Sequence, residues 1–275
     1  PFITDIYGDN YPAKYRGAFF SKSLILSVGI AALSGFVGSS ILEKDIEYYP
    51  LIFTFLGFCA FFKALAVYGM PSKSMERSPH ENPFGNMKYA WQDRSFGYVL
   101  LTWFIMGFAN LWTLPLRVDY ITSPQWGIEG SAIFVAMIIT VIPETLRMLL
   151  IPFWAGLFDK MNFVVLRMIL NLSFAAGVLL FFISSNPLII GAGSALIGVA
   201  FAGGSIAWNL WVTKYAPPGK TGAYMSVHVS LTGIRGTLGP MIGYWTVGVI
   251  GAQNIGILSC VMMILATLML IPEIK

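Results

Sequence analysis

The stretch Gly219–Trp245, GKTGAYMSVHVSLTGIRGTLGPMIGYW, decides how this chain is read. It opens on a basic loop, continues as an apolar helix rich in small residues, and carries one fixed positive charge, Arg235, near its middle. Shifted back by 205 positions, Pro12–Gly38 (PAKYRGAFFSKSLILSVGIAALSGFVG) echoes it. Pro12 then meets Pro217, Gly17 meets Gly222, Ala18 meets Ala223, Ser21 meets Ser226, Leu26 meets Leu231, Leu33 meets Leu238 and Gly38 meets Gly243. An ungapped echo at one offset is what two equivalent helices of a repeated bundle leave in a sequence.

The composition fixes the solvent. Of the 275 residues 56% are hydrophobic and 11% charged, with a mean hydropathy of +0.72. A soluble domain carries about 25% charged residues, so this chain lacks the polar surface it would need in water. Its apolar runs are each close to the ~20 residues that cross a hydrocarbon core of roughly 30 Å as a helix. A signal peptide accounts for only one such run. The net charge of +4 is spread over loops rather than gathered into a patch, which argues against nucleic acid as a partner. Cys59 and Cys260 both lie inside apolar runs without metal-type spacing and read as packing residues.

Eight spans are expected, near 17–42, 50–70, 96–116, 131–154, 163–183, 187–212, 219–245 and 255–271. The longest polar stretch, 71–95, holds Pro71, Pro79 and Pro83 and reads as a linker. It separates residues 1–70 from a larger unit, 96–275. Lys and Arg fall on alternate loops with a strong bias. Thirteen of the 17, including Lys14, Arg16, Lys73, Arg77, Lys88, Arg94, Lys160, Arg167, Lys214, Lys220 and Lys275, collect on one side. That puts the N-terminal loop, the linker and the C-terminus in the cytoplasm. The seventh span repeats the first with five between them, so the repeating unit is six helices and both copies enter from the same side. Spans three to eight then make one complete half, a compact six-helix bundle on which spans one and two are expected to pack. Spans one and two are the last pair of another half, whose four preceding helices belong to a longer parent protein.

Three motifs carry a family resemblance. Tyr11-Pro-Ala-Lys-Tyr-Arg16-Gly17 looks like a loop that opens a glycine-rich helix, Trp154-Ala-Gly-Leu-Phe-Asp159-Lys160 like a conserved-type loop between two helices, and Gly233-Ile-Arg235-Gly236 through Gly239-Pro240 and Gly243 like a small-residue helix. Together they resemble the major facilitator superfamily of secondary transporters, from the loop before its fifth transmembrane helix through its twelfth. The usual Gly-Pro of the fifth helix is absent, and Asn162-Phe163 replaces the Gly-Arg pair after Asp159-Lys160. The resemblance implies an all-α, polytopic bundle with eight of twelve helices present. It also implies a cytoplasmic gate formed by Arg16, Asp159 and Lys160, and a bacterial inner-membrane setting.

Ionisable groups inside hydrocarbon need an explanation. Glu144 lies mid-span just after Pro143, with Arg147 one turn on; the two either neutralise each other at i, i+3 or face a cavity as a proton or cation site and an anion contact. Arg235 keeps its charge at any physiological pH, and is either an anion-recognition group or a tether, for instance to Glu144. His228, two turns away on nearly the same face, is a proton relay or a packing histidine. Trp208 and Asn209 in the sixth span, and Asn110 in the third, line a solute path, or the tryptophan belongs to an interfacial aromatic belt.

Secondary active transport of a small organic solute by alternating access, coupled to protons or sodium, is the reading these features favour. The solute is expected to be neutral, amphipathic or singly charged. A non-transporting sensor on the same fold is the alternative. A membrane-embedded enzyme is disfavoured, since the sequence holds no HExxH, Gly-x-Ser-x-Gly, Walker loop or His/Cys cluster; no cofactor or metal is called for.

Overall fold

A computed structural model describes residues 16–71, 83–217 and 220–274; of residues 16–21, 83–84, 159, 209–210 and 213 it describes the backbone only. Every regular element among the described residues is helical. The principal helices are α1 (Arg16–Lys44), α2 (Tyr49–Tyr68), α3 (Arg94–Thr113), α4 (Ile142–Lys160), α5 (Phe163–Ile183), α6 (Pro187–Leu210), α7 (Thr221–Ile250) and α8 (Ala252–Leu268). Among the described residues seven spans are long and apolar enough to cross a membrane. The eighth expected span, α7, has the length, 30 residues, or about 45 Å of helix. Its Ser226, His228, Ser230, Thr232, Arg235 and Thr237 dilute its apolar content. The chain is an all-α, multi-pass integral membrane protein.

Local chemistry sets the helix ends. Asn162 accepts from Val164 N at 2.8 Å to start α5, and Asn186 from Leu188 N at 2.9 Å to start α6. Both serve as N-caps. Gly251, at φ +83°, makes the reversal between α7 and α8 that a side chain would strain. The fourth expected span is not one regular helix. Ala132–Ala136 leads into a π-turn, Met137–Val141, and α4 resumes with Pro143 in its first turn. A π-turn and a proline both leave carbonyls without their usual donors. The Ser194 hydroxyl of α6 donates to one of them, Ile138 O, as a low-dielectric interior requires.

Neighbouring helices follow the order α1–α4–α6–α5–α8–α3–α7, with α3 also touching α5. Glycines bring backbones together at the crossings. A Cβ on Gly193 of α6 would stand 2.7 Å from Gly177 O and Phe181 N of α5, and one on Gly198 would stand 2.7 Å from Pro143 Cα of α4. Two apolar clusters fill the interior, one around Tyr120, Phe181 and Ile255, the other around Phe96, Trp154 and Trp211.

Three expectations change. The second span was expected to pack on the bundle, yet α2 packs on the turn before it and buries none of its residues; an apolar run reads the same whether lipid or protein covers it. Arg167, assigned to a cytoplasmic loop, is 4% exposed inside α5. The end of the polar stretch before the third span is helical and packed on α7: residues 83–88 form a 3-10 turn, Tyr89 stacks on Tyr224 at 5.0 Å, and Asn86 donates to Ser226 Oγ at 3.1 Å. Its remaining residues 72–82, with His80, lie outside the described ones.

Asp93 ties this end together. One carboxylate oxygen accepts from Phe96 N at 3.0 Å and caps α3, and the other accepts from Tyr224 OH of α7 at 3.2 Å. With Ser95, Lys214, Tyr215 and Glu273 it lines a polar cleft of about 450 Å³. Burial, aided by the charges of Glu273 and Asp93, pushes the Tyr215 phenol up to about 12. Asp93→Ala removes a cap worth about 1 kcal/mol and a hydrogen bond worth roughly 1 kcal/mol. A lower thermal midpoint in detergent is expected, with Asp93→Asn, which still accepts, intermediate.

Candidate functional site

The structure sorts the expected site residues into two groups. The first stands where α1 meets α4. α1 approaches through its glycines: a Cβ on Gly29 would lie 3.2 Å from Met148 Sδ, and one on Gly35 2.8 Å from Thr140 Cγ2. Met148 is four residues beyond Glu144 within regular α4, so Glu144 shares its flank of the helix. Farther along, Glu43 at the end of α1 accepts from Ile133 N at 3.1 Å, a carboxylate on a helix N-terminus.

Glu144 Oε2 pairs with Arg147 Nη1 at 3.2 Å, and both side chains keep about a quarter of their exposure, 23% and 24%. Arg147 Nε also donates to Ser205 Oγ of α6 at 3.1 Å. This is the one ion pair among the described residues. The i, i+3 neutralisation weighed for the pair is present; its incomplete burial leaves the carboxylate accessible beside the α1–α4 seam.

The second group lies among α3, α5, α6 and α7. Arg235 donates to the Trp103 carbonyl and, at 3.2 Å, to Thr232 Oγ1. Gly107 leaves the notch it occupies, since a Cβ there would run into the guanidinium. Its carbon stands 5.5 Å from the centre of the Trp208 ring. Arg167, which sequence reading passed over, lies 3.6 Å over the Trp103 ring and donates to Met106 Sδ at 3.2 Å. His228 is enclosed by Trp208 at 4.3 Å and by Trp103 and Trp211 at 5.2 Å each. The tether from Arg235 to Glu144 is not formed; Glu144 is held by Arg147 and Arg235 by a helix carbonyl.

Electrostatics make this second group unusual. Arg167 and Arg235 repel each other and both bear on His228. Among the described residues no carboxylate pairs with either arginine. Desolvating an ion costs several kcal/mol, whereas a desolvated cation–π contact returns about 2 kcal/mol. The tryptophan faces therefore offset only part of the cost.

Other candidates lie apart. Asn110 Oδ1 accepts from Arg117 Nη2 at 2.7 Å, which engages it at the far end of α3. The side chains of Asn209, Asp159 and Arg16 lie outside the described residues, and Lys160 is exposed at the end of α4. Cys59 is exposed on α2 and Cys260 buried in α8, both as free thiols.

Fold and sites together define a class: a polytopic α-helical membrane protein with a partly exposed charge pair at one helix seam and a cationic, aromatic-walled cluster inside the bundle. Comparison with family models, curated proteins and solved structures gives no match for this chain.

Proposed function

We propose that this chain forms part of a secondary active transporter of the major facilitator type. In this reading α1 and α2 are the last two helices of one half, α3–α8 the other half, and the basic loops face the cytoplasm of a bacterial inner membrane. The two halves rock about a midplane site. A small organic solute is carried, with protons or sodium as the coupling ion.

The observation that carries the proposal is the placement of Glu144 and Arg147. They are an ion pair at 3.2 Å within an apolar span, beside a π-turn and a proline, on the flank where the first half meets the second. An intramembrane ionisable residue is by default a functional-site candidate, and π-turns recur at functional sites. Glu144 is the coupling residue in this scheme and Arg147 its resident counter-charge. Release of the carboxylate by Arg147 would accompany separation of α1 from α4.

The full-length parent protein in proteoliposomes tests this. With a solute panel outside and a pH-sensitive dye inside, solute-dependent proton movement is the expected result, and sodium-dependent solute uptake is the other form it can take. Solute binding without flux under both gradients would overturn transport and leave a receptor on this fold.

A further inference from the structure

The cluster inside the bundle has a property the transport reading does not use: it is rich in hydrogen-bond donors and poor in acceptors. Trp103 Nε1, Trp211 Nε1 and Arg235 Nε are buried donors without a partner, and His228 Nε2, a donor or an acceptor according to tautomer, is unpartnered beside them. An indole N–H and a guanidinium N–H can only donate. Buried donors are almost always satisfied, and here several go unsatisfied around two guanidinium groups. The unsatisfied acceptor Asn171 Oδ1, one turn beyond Arg167 on α5, carries no charge and cannot balance them. The residues themselves are deeply buried, with Trp211 at 0%, His228 at 1% and Arg167 at 4% exposure.

We propose that Arg167, Arg235, His228, Trp103 and Trp211 form a resident binding site for a small monoanion of halide size. Size follows from the packing. Trp103 stacks on Trp211 at 5.4 Å between centroids and Arg167 sits 3.6 Å over Trp103, so the faces are taken and only a small ion can reach the ring edges that carry the indole N–H groups. Charge follows from the pair of cations: one negative charge relieves their repulsion, while the indole faces already shield Arg167 and Arg235. The anion joins four helices. Arg167 comes from α5, Trp103 from α3, Trp211 from the turn closing α6, and His228 and Arg235 from α7. It is distinct from the Glu144 pair and does not depend on transport.

The test uses the purified full-length protein in detergent with gluconate as the anion. Bromide or chloride is titrated at constant ionic strength, and tryptophan fluorescence and the thermal midpoint are followed. A saturable change in both is expected with halide, and none with sulfate. Trp211→Phe, which keeps an aromatic face and loses the N–H, is expected to weaken halide binding roughly tenfold, about one hydrogen bond to a charged group. Arg167→Gln is expected to abolish it. The Trp211→Phe arm keeps the test open if Arg167→Gln fails to fold. A linear response matched by gluconate and sulfate, or equal halide affinity in Trp211→Phe, would overturn the site.

Discussion

Glu144→Gln is expected to leave the protein folded while flux no longer follows the pH gradient. Glutamine keeps the length of the side chain and an oxygen able to accept from Arg147, now 3.2 Å from the carboxylate. Because both groups keep about a quarter of their exposure, the pair is worth no more than about 1 kcal/mol to stability. What is lost is the carboxylate's capacity to exchange a proton, and with it the link between gradient and solute. Arg147→Gln behaves differently. It leaves a carboxylate in apolar surroundings without its counter-charge, a penalty of ~3–5 kcal/mol when burial is complete and smaller here because burial is partial. The thermal midpoint should therefore fall more for Arg147→Gln than for Glu144→Gln. The double variant should recover part of that loss, a coupling read directly from the cycle. Flux then separates the roles. If the pair serves packing alone, the double variant transports with the parent's pH dependence; if Glu144 couples, the single and double variants both lose it.

The same pair shows which parts of the molecule can be read without coordinates. Its i, i+3 spacing in an apolar span announced the contact, because two residues one turn apart share a face. The span lengths were legible for an equally direct reason: hydrocarbon thickness sets them, and α5 occupies Phe163–Ile183, the range expected for it. The π-turn at Met137–Val141 was not legible, since one extra residue in a turn leaves no mark on a hydropathy profile. Nor was the destination of Arg167. A basic residue in the first turns of a span reads as a loop charge, and only its i, i+4 spacing to Asn171, which puts two polar groups on one face of a mostly apolar helix, signals that it turns inward. Arg235 was visible as a buried charge, but its partner was not. A backbone carbonyl of another helix carries no side-chain signature, so the Trp103 contact emerges only when α3 and α7 are placed side by side.

Gly193→Ala is expected to damage the bundle more than any single methyl group on its surface. At the α5–α6 crossing a Cβ on Gly193 would lie 2.7 Å from Gly177 O, 2.7 Å from Phe181 N and 3.1 Å from Phe181 Cα. These are backbone atoms, so no rotamer change relieves the overlap and the helices must separate. In a membrane this closeness is the source of affinity, because lipid is as apolar as the side chains and association rests on van der Waals contact. The reciprocal contact fails with it: a Cβ on Gly177 would meet Gly193 O at 2.9 Å and Ile197 Cγ1 at 2.8 Å. Overpacking of this kind costs about 1–3 kcal/mol, and Gly193→Leu costs more. Gly204→Ala on the same helix is the control, since its nearest neighbour, Phe174 Cε2, would stand at an ordinary 4.0 Å, and alanine favours the helix by up to ~1 kcal/mol. Thermal midpoints and monodispersity in detergent should fall for Gly193→Ala and hold or rise for Gly204→Ala. Equal midpoints in the two variants would mean that α5 and α6 do not meet backbone to backbone.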